Sequence, residues 1–292
     1  MQKHWKRLVI VAVCVVVLGI AVLAGARIVD FFREAPVYGF IVGGPPPVAP
    51  ADANYTFALM GDTRNNVAVL EQELGQAIAA KCAFAVFNGD LVLRPRAYHF
   101  SDFYRAVWRA TAGRLPVYLV VGNHDWAGMV QDRGGVEFHR FLGPTDYVFW
   151  YGSDAFVVFS DVGQGFTPER AARLESVLSA VQTRVRNLFL VCHKPPVDPR
   201  AGMSHALSPE QGAELLKIAR AHKVAVLFCS HIHGFAEKNL EGVQMVVSGG
   251  AGAQLQPGQE FHWLKVTVEG TKVTWQQVKP EGVPAGRGQG AE

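Results

Sequence analysis

The sequence predicts a layered α/β domain behind a hydrophobic N-terminal segment, on three observations. From residue 55 onward, short apolar runs of strand length alternate with longer stretches of helical periodicity. Several of the apolar runs stop at an Asp, Asn or His. One uncharged run near the N-terminus is long enough to cross a bilayer. With 292 residues, 49% of them hydrophobic and 18% charged, the chain can bury a substantial single core, which excludes a disordered protein. The formal charge of +3 is small and no basic stripe runs along the chain, so no nucleic-acid partner is expected.

The uncharged run "LVIVAVCVVVLGIAVLAGA" covers the nineteen residues 8–26, close to the ~20 that span a hydrocarbon core. Lys3, Lys6 and Arg7 in the basic segment 1–7 place the N-terminus in the cytoplasm by the positive-inside rule. The expectation is a single-pass membrane protein whose domain is extracytoplasmic, in the periplasm or outside the cell. Ala24-Gly25-Ala26 also suits a signal-peptide cleavage site, but the run is longer than the ~7–15 residues of an ordinary signal core, and an uncleaved anchor is preferred. Residues 27–54, with "GGPPPVAPADAN", read as a Pro/Gly-rich linker unable to hold a helix or a central strand. Residues 280–292, almost without large apolar side chains, read as a disordered tail.

Between them lies the domain, 55–279. "YTFALM" (55–60) reads as a strand, "NNVAVLEQELGQAIAAK" (65–81) as a helix, "AFAVFN" (83–88) as a strand, and "AYHFSDFYRAVWRAT" (97–111) as a helix with an aromatic buried face. "PVYLVV" (116–121) completes a β-α-β-α-β unit. After a loop-rich stretch, 147–161 reads as a hairpin turning at Gly152-Ser153. Then follow a helix (168–181), the strand "NLFLVC" (187–192), a helix (208–222) opened by Ser208-Pro209, and the strand "VAVLFC" (224–229). Three further short strands are expected through Gln277. Cys82, Cys192 and Cys229 sit at or inside apolar runs and read as buried free thiols; an oxidising compartment would permit a Cys192–Cys229 disulfide.

The strand ends carry the chemistry. "FALMGD" ends in Asp62, "AVFNGD" in Asp90, "LVVGNHD" in Asn123, His124 and Asp125, "FLVCH" in His193, and "LFCSHIH" in His231 and His233. Ligand sites of open α/β sheets form beyond the carboxyl ends of strands, so these residues should gather along one rim. Carboxylates, an amide oxygen and imidazoles together suit Mn, Fe or Zn. Gly61, Gly89 and Gly122 precede the ligand-like residues and allow sharp turns and close backbone approach.

In their order, "GDTR", "NGD", "GNHD", "CHKPP" and "SHIH" resemble the motifs of the calcineurin-like metallophosphoesterases, over roughly residues 55–277. The resemblance implies a four-layer α/β/β/α sandwich of two mixed sheets. It implies two divalent or trivalent metal ions, Mn, Fe or Zn, bridged by Asp90, with Asp62 and His233 on the first and Asn123, His193 and His231 on the second. It implies hydrolysis of phosphate mono- or diesters by a metal-bound hydroxide. His124 would be general acid or transition-state hydrogen-bond donor, its ring oriented by Asp125.

One departure matters. Many relatives carry D-x-H at the first motif, where this chain has Asp62-Thr63-Arg64. A guanidinium cannot coordinate a cation. Arg64 therefore reads as a clamp on a substrate phosphate, as the mark of a weak first metal site, or as a partner of Asp62. Ser230 stands where Gly usually precedes H-x-H, a small change. Lys194, Arg200, His205, Arg94 and Arg96 read either as pocket lining or as loop charge. The protein phosphatase pattern G-D-x-V-D-R-G is replaced by "GDLVLRPR", so a small molecule, nucleotide or lipid headgroup is the expected phosphoester substrate. The alternative from another class is a non-catalytic metal- or phosphate-binding module.

Overall fold

A computed structural model describes residues 41–42, 49–126, 135–163 and 165–282. The basic segment, the span at 8–26, most of the linker and the tail from residue 283 lie outside the described residues. Among the described residues, no helix is long and apolar enough to cross a membrane.

In chain order the elements are β1 (Ile41–Val42), β2 (Tyr55–Met60), α1 (Val67–Ala79), β3 (Ala85–Asn88), α2 (Ala97–Thr111), β4 (Val117–Val120), α3 (Asn123–Trp126) and α4 (Val136–Leu142). Then come β5 (Tyr147–Tyr151), β6 (Asp154–Val158), α5 (Pro168–Val181), β7 (Leu188–Val191), α6 (Pro209–Ala221) and β8 (Val226–Cys229). The chain ends in β9 (Phe235–Leu240), β10 (Val243–Ser248), β11 (Trp263–Glu269) and β12 (Lys272–Val278). The helices start where capping chemistry dictates. Asn66, Thr167 and Ser208 each accept a hydrogen bond from a backbone N–H of the first turn, and proline follows the last two.

These strands form two six-stranded mixed sheets, ordered β1-β4-β3-β2-β11-β12 and β5-β6-β7-β8-β10-β9. β2, β3 and β4 run parallel in the first sheet. β6, β7, β8 and β10 run parallel in the second, with antiparallel strands at both edges. Three differences from the expected layout have local causes. The loop-rich stretch contains the short helices α3 and α4. Four strands, not three, follow residue 234, because β9 begins immediately after His233-Gly234 and turns back on β10. Within the stretch read as linker, Ile41 and Val42 pair with Tyr118 and Val117 as an edge strand.

Aromatic rings fill the space between the sheets. Phe57 stacks on Phe84 at 5.1 Å between centroids and meets Phe156 edge-on at 5.3 Å, and Phe149 stacks on Phe156 at 4.6 Å. On the outer face of the second sheet, Leu174 and Leu178 of α5 and Leu215 of α6 join Leu190, Leu227 and Val247 in one buried cluster. α1 and α2 pack on each other, and Phe103 of α2 meets Phe87 of β3 at 5.5 Å, the corresponding arrangement on the first sheet. Where β6 begins, the buried Asp154 accepts hydrogen bonds from Tyr55 Oη (3.0 Å), Arg186 Nε (3.0 Å) and Nη2 (2.6 Å), and Asn187 N (3.0 Å) and Nδ2 (2.9 Å). A buried carboxylate is tolerated only with such partners, and this one ties the two sheets together. It leaves the other ends of the parallel strands to diverge into loops. Phe57→Ala, which removes a fully buried ring from the centre of this layer, is expected to destabilise the domain by about 3–5 kcal/mol, read from denaturant unfolding.

Candidate metal centre

Parallel strands point their carboxyl ends the same way, so the residues after β2, β3, β4, β7 and β8 arrive at one rim. Two clusters of ligand atoms result, each within 4.8 Å: Asp90 with His193 and His231, and Asp62 with Asp90 and His233. Asn123 Oδ1 lies 3.0 Å from His193 Nε2, which brings it into the first of these clusters. All six sequence-predicted ligands therefore meet, with Asp90 common to both groups. Asp62, Asp90 and His231 hold left-handed backbone, φ of 60°, 52° and 67°. Non-glycine residues rarely adopt it, and it is found where the surroundings force a side chain into a functional position.

The hydrogen bonds leave the ligand atoms free to face inward. His193 Nδ1 lies 3.0 Å from the Asn88 carbonyl and His233 Nδ1 lies 2.7 Å from that of Gln254. A carbonyl only accepts, so the ring proton sits on Nδ1 and Nε2 carries the lone pair. Asp62 receives the backbone N–H of His231 at 2.9 Å through one oxygen, while Oδ1 is buried without a hydrogen-bond partner. Around His193 Nε2 stand Asn123 Oδ1 at 3.0 Å, His231 Nδ1 at 3.1 Å and Asp90 Oδ1 at 3.3 Å. With its proton on Nδ1, His193 Nε2 is itself a lone-pair atom and donates to neither the Asn123 nor the Asp90 oxygen, so hydrogen bonding does not account for their approach; a cation does. On this ground the residues fit the metal ions that the resemblance implies.

The charges of the cluster pull in both directions. Burial drives the Asp62 carboxyl up to about 8, with His193 and Arg64 opposing and Asp90 adding to it. Burial acts on Asp90 as well, but His193, His124 and Arg64 outweigh it and hold Asp90 below the usual carboxylate range. Burial and the neighbouring His193 push His231 down, and burial and Arg64 push His233 down to about 4, so both imidazoles are neutral at neutral pH. His193 goes the other way, raised by Asp90, Asp62 and Asp161 against burial.

His124 lies beside this cluster, half-buried, with its backbone N–H donating to Asp90 Oδ1 at 2.8 Å. Its ring Nδ1 donates to the Leu93 carbonyl at 2.9 Å, which leaves Nε2 free. Asp125 does not orient that ring, contrary to expectation. Its two oxygens accept from Val92 N (3.0 Å) and Gly122 N (2.8 Å). Neighbours on the single turn of α3 point about 100° apart, so Asp125 turns inward and pins the β3 and β4 loops while a backbone carbonyl takes over the His124 ring. Arg64 Nη2 meets Asp90 Oδ2 at 3.0 Å, so the guanidinium pairs with the shared carboxylate rather than with Asp62.

Several contributors carried no local signal. Asp161, after β6, is buried; it accepts the Lys194 N–H at 2.5 Å and has one oxygen unpartnered. Ser230 is more than a tolerated replacement for glycine: its hydroxyl donates to the Asn88 carbonyl and lies 3.0 Å from His193 Nδ1. Of the loop charges left open, Arg200 forks onto Asp198 (3.0 and 2.8 Å) and meets His205 Nδ1 at 3.1 Å, and the His205 ring stands 6.2 Å from that of His231. That loop therefore borders the site. Arg94 and Arg96 are exposed on the loop before α2. The Cys192 and Cys229 sulfurs are 3.7 Å apart, and both are buried free thiols.

A rim of Asp, Asn and His at the converging strand ends of two stacked mixed sheets makes this a candidate metal-binding α/β protein. The chain belongs to the calcineurin-like phosphoesterase family, whose match covers residues 55–235. It is 28% identical to human serine/threonine-protein phosphatase CPPED1 over 261 residues, 80% of this chain and 81% of the relative, and 27% identical to the Bos taurus protein of the same name, over 80% of each chain. Among solved structures it resembles a purple acid phosphatase from yellow lupin seeds (TM-score 0.67, 17% identity), covering 82% of this chain but only 54% of the lupin chain. It also resembles GAP50, described as the anchor in the inner membrane complex of Plasmodium (TM-score 0.59, 14% identity, 82% and 90% covered), and a dimetal phosphatase from Danio rerio (TM-score 0.55, 14% identity, 78% and 99% covered). At these identities the structural likeness is one of fold.

The packing admits no side chain at residue 122: a Cβ there would lie 2.1 Å from Asp90 N and 2.3 Å from Asp90 Oδ1. Gly122→Ala is expected to destabilise the domain by about 1–3 kcal/mol and to displace Asp90, measured by urea unfolding.

Proposed function

We propose that this protein is a metal-dependent phosphoester hydrolase. The observation that carries the reading is the convergence of Asp62, Asp90, Asn123, His193, His231 and His233 at one rim, with the buried Asp62 Oδ1 left without a hydrogen-bond partner. Mn, Fe or Zn ions, which these six residues would hold, would supply Lewis-acid charge and an acidified water for attack at phosphorus. The chain's own residues do the rest. Asp90 concentrates negative charge where cations would bind, and Asp62 would add its own on exchanging its proton for a cation. The Nδ1–H···O contacts fix His193 and His233 with Nε2 toward the centre. His124, held through Nδ1 by Leu93, presents Nε2 to the departing oxygen, where it serves as general acid or hydrogen-bond donor once that nitrogen takes up a proton, against the burial that lowers its pKa. The Arg64 guanidinium has more donors than Asp90 takes up and meets a phosphoryl oxygen with the remainder.

The substrate read from the sequence is a small-molecule, nucleotide or lipid-headgroup phosphoester. The human relative's name, which specifies a serine/threonine-protein phosphatase, makes a phosphopeptide the necessary comparison. In detergent and with Mn, Fe or Zn supplied, the full chain is expected to release nitrophenol from mono- or bis-nitrophenyl phosphate. His124→Ala is expected to lower kcat by roughly 10²- to 10⁴-fold. Faster turnover of a phosphoserine peptide than of either small ester overturns the substrate reading. No turnover with any metal or ester overturns hydrolysis and leaves the non-catalytic binding module.

The uncharged run at 8–26 behind Lys3, Lys6 and Arg7 supports a single-pass anchor with the domain outside the cytoplasm. The chain should then stay with membranes through carbonate extraction, and protease added to the non-cytoplasmic face should degrade the domain. Release of the intact chain by carbonate, or full protection from protease, overturns this placement.

A further inference from the structure

The two donor groups are unequal, and Arg64 lies on the atom where they differ. One group offers Asp90, Asn123, His193 and His231; the other offers Asp62, Asp90 and His233. Asp90 Oδ1 faces the first group, accepting the His124 N–H at 2.8 Å and lying 3.3 Å from His193 Nε2. Asp90 Oδ2 is held by Arg64 Nη2 at 3.0 Å.

The pairing is built into the backbone. Arg64 N donates to the Asp90 carbonyl at 3.0 Å, Asn65 N to that of Leu91 at 3.2 Å, and Thr63 Oγ1 to the same carbonyl at 2.8 Å. Leu93 N returns a bond to Asn65 Oδ1 at 2.9 Å. Residues 63–65 are thus stitched along 90–93, and the Arg64 backbone, at φ 44°, is fixed against the very loop that presents Asp90. The Arg64 side chain is only 13% exposed and Asp90 is fully buried. The stitched backbone keeps the guanidinium beside Asp90, so freeing the carboxylate requires the Arg64 side chain itself to turn.

A permanent positive charge one hydrogen bond from the shared carboxylate opposes a cation at the three-donor position in two ways. It occupies an oxygen the cation would use, and it repels the cation itself. We infer that Arg64 makes the two cation positions fill in sequence: the Asp90/Asn123/His193/His231 position takes its ion first and tightly, and the Asp62/Asp90/His233 position fills only at higher metal concentration, as Arg64 gives up Asp90. This inference rests on the proposed metal-centre reading and adds to it which position is exchangeable and which residue controls it.

Equilibrium dialysis of the chelator-stripped full chain in detergent against graded Mn²⁺, with metal counted per chain, tests it without recourse to activity. The wild type is expected to bind in two steps, the second roughly 10- to 100-fold weaker. Arg64→His, which removes the charge and adds a ligand nitrogen, should bring the steps together. Arg64→Gln, which removes the charge alone, should tighten the second step partway, and Arg64→Lys should keep it weak. Circular dichroism on each metal-free variant establishes folding; if Arg64→His fails to fold, the Gln and Lys pair decides. A wild type that takes up two ions with one affinity, or a second step unmoved by both Arg64→His and Arg64→Gln, overturns the inference. A chain that binds no Mn²⁺ overturns both this inference and the metal reading beneath it. Sequential binding without ester turnover upholds the inference and counts against hydrolysis alone.

Discussion

A carboxylate with no exposure to water must find compensation inside the protein, and Asp90 at the end of β3 finds it from every side. Arg64 approaches one oxygen, the His124 N–H and His193 the other, and the loops after β2, β4 and β7 are drawn inward by those contacts. The backbone around it follows from this crowding. A Cβ at Gly89 would lie 2.4 Å from His193 Nδ1, and one at Gly122 would strike Asp90 itself, so glycine precedes both ligand segments for want of room. The left-handed φ of Asp62, Asp90 and His231 belongs to the same constraint: strain is accepted where surrounding contacts over-determine the geometry.

The sandwich makes this crowding possible because its two sheets contribute from the same end. Asp62, Asp90 and Asn123 follow strands of the first sheet, and His193 and His231 follow strands of the second. The aromatic layer between the sheets sets the distance across which they meet. Asp154, bound to Tyr55, Arg186 and Asn187 where β6 begins, joins the sheets away from the rim. Rigid strands and a closed far end thus hold the ligand atoms in place, while the loops beyond the strand ends carry the chemistry.

Much of this was legible in the letters. The strands and helices of the β-α-β-α-β unit are found where apolar periodicity puts them, and the six candidate ligand residues are visible because they follow the ends of apolar runs. Less legible were contacts made through the backbone. Nothing local in "GNHD" says that Asp125 will bind Val92 and Gly122, or that a carbonyl of Leu93 will hold the His124 ring. Asp161 looked like any aspartate after a strand until β6 and β7 paired and set it beside Lys194. His205 and Arg200 became neighbours of the site through the course of one loop. β9 carries no strand signal because its sequence, "FAEKNL", lacks the apolar run of a buried strand; it is an edge strand with no buried residue.

The sequence alone determined the ordered alternation, the chemical types of the ligands, and the replacement of an expected imidazole by the guanidinium of Arg64. These are local properties: periodicity reads burial, and side-chain chemistry reads donor capacity. Only the tertiary structure decided that Arg64 meets Asp90 and not Asp62, that Asp90 belongs to both donor groups, and which backbone carbonyls fix the imidazole tautomers. The physical reason is distance along the chain. His231 reaches Asp62 across 169 residues, and only the register of stacked sheets determines which distant loops come within a hydrogen bond of each other.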